Sequence, residues 1–143
     1  MIKNEHQYKI TKKLAVELEE ALRALSTNSE FQSLHPRARQ VHISSLRAQL
    51  AQHQAELHEY EVLRTGHFSF DQPPSLEQIP SWLIKARIAR GLRQEDLARL
   101  LNIKKQQVQH YEATDYAGAS LTRIRQVADL LRHQEAGRDA TAR

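Results

Sequence analysis

The sequence predicts an all-α protein: an N-terminal helical hairpin with one long helix, followed by a compact bundle of four to five short helices. Three observations lead there. Apolar residues recur at alternating spacings of three and four, the period of a single helical face. Only 4 glycines and 4 prolines punctuate the 143 residues, too few for the many turns of a sandwich or barrel. The apolar share is 40%, enough to build a core, so a disordered chain is excluded.

Two helical patterns fill the first 65 residues. Thr11 can cap a helix whose apolar stripe is Leu14, Leu18, Ala21, Leu22 and Leu25. The Ser26, Thr27, Asn28, Ser29 cluster stops it. His35 and Pro36 open a second helix, since proline suits a first turn where its missing N–H is not needed. That helix runs to Arg64, with Gly66 as the stop. Its Ile43, Leu46, Leu50, His53, Leu57 and Tyr60 alternate like the a/d seam of a coiled coil. A helix of about 28 residues is ~40 Å long, more than the shorter first helix can cover. The surplus seam serves self-association, another protein, or a fold back onto the C-terminal half. His53 and Glu56 have an i, i+3 His/carboxylate spacing, but His53 and His58 point to different helix faces and no second metal-binding segment accompanies them, so His53 is read as a polar seam position that fixes register and no metal site is expected.

Residues 66–79 read as a linker in which Phe68 and Phe70 anchor an extended segment. Ser75 and Gln78 have capping-box spacing and start a short helical turn. Residues 80–133 form the compact helical domain, and 134–143 a flexible tail. The domain's first helix is amphipathic through Trp82, Leu83, Ala86, Ile88 and Ala89, and stops at Gly91. A second runs from Gln94 to Leu101, a third from Lys105 to Glu112, and Ser120 caps a fourth through Leu131.

The central pair, two eight-residue helices around a three-residue turn, has the dimensions of a helix-turn-helix. Ala98 lets the two helices cross closely, and Asn102 tolerates the left-handed conformation that a sharp turn needs. With Val108 and Tyr111 pointing inward, Lys105, Gln106, Gln109 and His110 face outward. Lysine can meet guanine acceptors and glutamine the adenine edge. Lys104 precedes them as a candidate phosphate contact. Charge supports a polyanionic partner: residues 1–80 hold 9 basic and 10 acidic groups, residues 81–143 hold 12 and 7.

The stretch from Ala86 through Gly91, Gln94, Leu97, Ala98 and Val108 to Glu112 resembles the Xre/Cro-type DNA-binding domain of phage repressors. The resemblance covers residues 80–132. It implies a buried ion pair between Arg87 and Glu112, a phosphate contact at Gln94, and base contacts at Lys105, Gln106 and His110. Two positions depart from the family pattern. Asn102 stands where glycine is frequent, and residues 113–119 contain Gly118 but no proline where the family has a Gly- and Pro-containing turn. The arrangement of a helical hairpin ahead of such a domain is similar to that of HigA-type antitoxins, which implies a cognate toxin as a possible protein partner.

Other classes find no support. With no cysteine there is neither a disulfide framework nor a thiolate metal site, which fits a cytoplasmic protein. No apolar run approaches the ~20 residues of a membrane span, and the first residues lack a secretion signal's apolar core. No Gly-rich phosphate loop, nucleophile elbow or zinc-protease motif is present, so neither an enzyme nor a cofactor is expected. The expectation is a nucleoid-associated, sequence-specific repressor, a homodimer on double-stranded operator DNA that regulates its own operon. The alternative is an antitoxin that neutralises its toxin through the N-terminal hairpin.

Overall fold

The computed structural model describes residues 1–134. Those residues form seven α-helices and no strand: α1 Glu5–Leu25, α2 Ser29–Gln32, α3 Pro36–Arg64, α4 Ile79–Ala89, α5 Gln94–Leu101, α6 Lys105–Ala113 and α7 Leu121–His133. The chain divides into two compact units, Met1–Glu59 and Tyr60–Arg143. Apart from Gln134, the expected tail lies outside the described residues.

In the first unit, α1 starts earlier than its expected cap at Thr11. The Asn4 side chain accepts from the Gln7 N–H at 2.9 Å, and Gln7 in turn accepts from the Lys3 N–H at 2.9 Å. Asn4 is the better cap because an acidic residue, Glu5, follows it in the first turn, where the helix dipole favours negative charge. The polar cluster after α1 also does more than stop it. Asn28 caps the four-residue α2 through a 2.9 Å bond from the Phe31 N–H, and this places the Phe31 ring in a buried position.

α1 and α3 run antiparallel. The Met1 amino group lies 3.8 Å from Glu56 near the far end of α3, while α2 joins the end of α1 to the start of α3. Gln54 also donates to Glu19 at 3.3 Å. The shielded positions of α1 are Tyr8, Thr11, Ala15, Leu18, Leu22 and Leu25, a strict three–four alternation. The expected stripe is thus turned partly outward: Leu14 is 41% exposed and Ala21 is exposed. Leu14 and Ala21 lie at the edge of the row shielded against α3, while Leu18, Leu22 and Leu25 of the expected stripe stay within it. In α3 the shielded row through Ile43, Leu46, Leu50, His53 and Leu57 matches the expected seam.

The second unit includes the last turn of α3, with Tyr60 and Leu63 buried, so its boundary falls before residue 65. Phe68 packs edge-on against Phe70 and tilts against Trp82, with ring centroids 4.9 and 5.7 Å apart. A 3₁₀ turn at Leu76–Gln78 leads into α4. α4 is not amphipathic. Trp82, Leu83, Ile84, Ala86, Arg87, Ile88 and Ala89 are all buried, so it is the central helix of the bundle. It stops at Gly91, whose φ of +71° lets the Leu92 N–H return to the Arg87 carbonyl at 3.1 Å. Leu97, Ala98, Val108, Val127 and Leu131 complete the core. Ser120 caps α7 by accepting from the Arg123 N–H at 3.1 Å.

Residues 102–104 connect α5 to α6. Asn102 adopts φ 55°, ψ 45°, and the Ile103 N–H closes on the Ala98 carbonyl at 2.9 Å. A β-branched residue cannot adopt this conformation without a steric cost. Asn102→Val is therefore expected to lower stability by about 1–2 kcal/mol, with Asn102→Gly near neutral. Chemical denaturation followed by the fluorescence of Trp82, the single tryptophan, measures both.

Candidate nucleic-acid interface

The site is assembled around a buried carboxylate. Glu112, near the end of α6, is 1% exposed and Arg87 of α4 is 3% exposed. Arg87 Nε donates to Glu112 Oε1 at 2.6 Å and Nη2 to Oε2 at 3.1 Å, a two-pronged contact, while Nη1 donates to the Leu92 carbonyl at 2.7 Å. A third donor comes from α5: Gln94 Nε2 reaches Glu112 Oε2 at 2.7 Å. Charge-assisted bonds of this kind are the strong ones, and removing one partner would leave a buried charge at a cost of ~3–5 kcal/mol. One network thus joins the body of α4, the start of α5 and the end of α6.

This placement changes the reading of Gln94. The resemblance sends its side chain to a phosphate, yet that side chain is only 8% exposed and its amide is spent on Glu112. A carboxylate with no access to water needs every donor within reach, and Arg87 alone leaves acceptor capacity on Oε2.

With α6 held at its end by Glu112 and along its length by Val108 (1% exposed), its other side faces solvent. Lys104, Lys105, Gln106, Gln109 and His110 are all exposed on it. From Lys104 to Tyr111 the helix carries no carboxylate. Gln107 is exposed as well, but its amide donates to the Tyr111 hydroxyl at 3.0 Å. The four-residue spacing of Gln107 and Tyr111 was a readable signal for that bond.

Tyr116 carried no such signal. It is buried and its ring stacks on Tyr111 at 5.6 Å and 14°, while its N–H bonds the Tyr111 carbonyl at 2.7 Å. Burial, reinforced by the Glu112 charge, pushes its hydroxyl well above the ordinary tyrosine range. Asp115 and Tyr116 are consecutively left-handed, at φ 51° and 58°, in the turn where the family places glycine and proline. The stacked ring anchors a backbone shape that glycine would otherwise provide.

Arg90 and Arg93 are held by partners within the domain. Arg90 donates to the Leu131 and Arg132 carbonyls at 2.7 and 2.9 Å and lies 3.7 Å over the Phe70 ring, closing the end of α7. Arg93 is paired with Glu95 at 2.8 Å and Asp96 at 3.3 Å. Among the described residues no cluster of His, Asp or Glu could hold a metal ion, and no helix is long and apolar enough to cross a membrane.

Residues 83–132 match the family model described as helix-turn-helix. The segment is a helix-turn-helix domain of the Xre/Cro type. In its terms α5 and α6 are the helix pair, and the chain carries a helix-turn-helix DNA-binding domain of a transcriptional regulator. No curated protein and no solved structure matches the chain.

The start of the helix pair is pH-sensitive. The Asp96 carboxylate accepts from the Arg93 N–H at 2.8 Å, which satisfies a donor at the head of α5. Partial burial pushes the Asp96 carboxyl up, but the Arg93 N–H, the Arg93 guanidinium and the Arg99 charge together outweigh it and hold it below the usual carboxylate range. A depressed carboxylate stabilises the fold above its unfolded value of about 3.9, and that contribution is lost as pH falls through the folded value. Asp96→Asn is expected to cost about 1 kcal/mol at neutral pH. In urea melts across pH its deficit shrinks below pH ~4; a deficit constant into strong acid would contradict the assignment.

Proposed function

We propose that the protein is a sequence-specific repressor that binds a pseudo-palindromic operator as a homodimer and regulates its own operon. The observation that carries this reading is the exposed, carboxylate-free face of α6. Lys105 offers donors to guanine O6 and N7, Gln106 and Gln109 can pair with the adenine edge, and His110 extends the same row. Lys104 sits at the head of α6 as a phosphate contact. Gln94 contributes through the first turn of α5, whose outward N–H groups favour an anion, while its side chain holds Glu112. Two copies would set α6 into successive major grooves, with half-sites ~10 base pairs apart or a multiple of that. The excess of basic groups after residue 80 supplies affinity that weakens steeply with salt.

A second reading assigns the N-terminal unit to masking a cognate toxin. It is favoured by Val41, 65% exposed in a shallow groove with Arg37, Ala38, His42 and Ser45. Co-expression with the product of the neighbouring gene tests it: a complex that survives purification and is lost with Val41→Asp supports it, and no complex counts against it.

For the repressor reading, Gln106→Ala is expected to cost about 1–3 kcal/mol on DNA from the protein's own upstream region and almost nothing on scrambled DNA. Fluorescence anisotropy at near-physiological salt measures both affinities. Equal losses on the two DNAs would remove Gln106 from base reading.

A further inference from the structure

A second cleft of the first unit combines apolar side chains with two arginines and no carboxylate. It lies between α2 and the first three turns of α3 and has a volume of about 350 Å³, at the lower end of the range that small-molecule sites occupy. Phe31, Pro36 and Ile43 form its apolar lining. Arg39, Gln40, Ser44 and Arg47 stand beside them, brought to one face of α3 by their three- and four-residue spacings from Pro36 and Ile43. The cleft shares no residue with the groove around Val41.

Charge there is one-sided. No Asp or Glu occurs between Glu30 and Glu56, while Arg37, Arg39 and Arg47 do. Arg39 is held in place from α2: the Gln32 side chain donates to the Leu25 carbonyl at 2.9 Å and accepts from Arg39 Nη1 at 2.9 Å. With Nη1 spent on Gln32, the Nε–Nη2 edge of the guanidinium remains, and its Nε is shielded from water with no hydrogen-bond partner. A shielded donor without an acceptor is costly, and native structures ordinarily complete it. Elsewhere in this chain the same edge is completed by a carboxylate: Arg87 gives Nε and Nη2 to the two oxygens of Glu112. Arg47 is exposed and sets a second positive charge at the rim of the cleft.

We propose that this cleft binds a small carboxylic acid with an apolar body. The carboxylate lies on the Nε–Nη2 edge of Arg39, with Arg47 adding positive charge, and the apolar part lies against Phe31, Pro36 and Ile43. Two parallel N–H···O bonds suit the planar fork of arginine and the paired oxygens of a carboxylate. Gln40 and Ser44 offer further donors to the same group. An inorganic anion would leave the apolar lining unused, and a neutral apolar molecule would leave Arg39 incomplete. The site adds a ligand to the two readings above and depends on neither.

Benzoate is the probe, titrated into the full chain and followed by amide chemical shifts, with benzyl alcohol and inorganic phosphate as comparisons. Benzoate is expected to give saturable shifts concentrated at residues 31–47 and to bind about tenfold more tightly than either comparison. Arg39→Ala is expected to weaken benzoate about tenfold. Arg39→Lys keeps the charge but not the fork, and is expected to stay close to the alanine variant. Arg47→Ala, at an exposed position, is expected to weaken benzoate about threefold. It keeps the test decisive if far-UV circular dichroism shows that the Arg39 variants loosen α2. No saturable shift at residues 31–47, or phosphate or benzyl alcohol binding as tightly as benzoate, would overturn the site. So would unchanged benzoate affinity in the folded variants.

Discussion

Water cannot reach Glu112, so the domain is stable only if other groups take water's place at that carboxylate. Arg87 and Gln94 supply three donors, and they come from two other helices. Satisfying one charge and fixing how α4, α5 and α6 sit together are consequently the same condition. The placement of α6 follows from that. Its end is pinned by an ion pair, its middle by Val108, and Lys105, Gln106, Gln109 and His110 are left facing solvent. The same condition turns the Gln94 side chain inward onto Glu112.

Smaller devices hold the rest of the domain in register with this network. Asn102 makes the turn between the helix pair, Asp96 satisfies the head of α5, and the Tyr111–Tyr116 stack shapes the turn that follows α6. Arg90 closes the end of α7 and stacks on Phe70, so the extended segment after α3 is part of the domain and not a free tether.

The parts legible in the sequence were those that depend on local spacing. Helix boundaries from Pro36 onward follow from proline, glycine and serine at the helix ends, and the exposed row of α6 follows from Val108 and its period. The parts that were not legible depend on contacts between distant residues or on competition among similar signals. Asn4 and Thr11 are both acceptable caps, and the choice between them sets where α1 begins. α4 looks amphipathic because its buried polar residue, Arg87, is satisfied 25 residues away by Glu112. Tyr116 holds its left-handed turn through a ring stack that no periodicity announces.

The central claim is that the outward face of α6, held by the Glu112 network, is where this chain meets DNA. Amide chemical-shift mapping of the full chain, titrated with a duplex from its own upstream region, tests it most directly. The account predicts the largest shifts at Lys105, Gln106, Gln109 and His110 and at the first turn of α5, with the α7 face unmoved. Shifts confined to residues 1–59, or spread evenly over every basic side chain's surroundings, would contradict it.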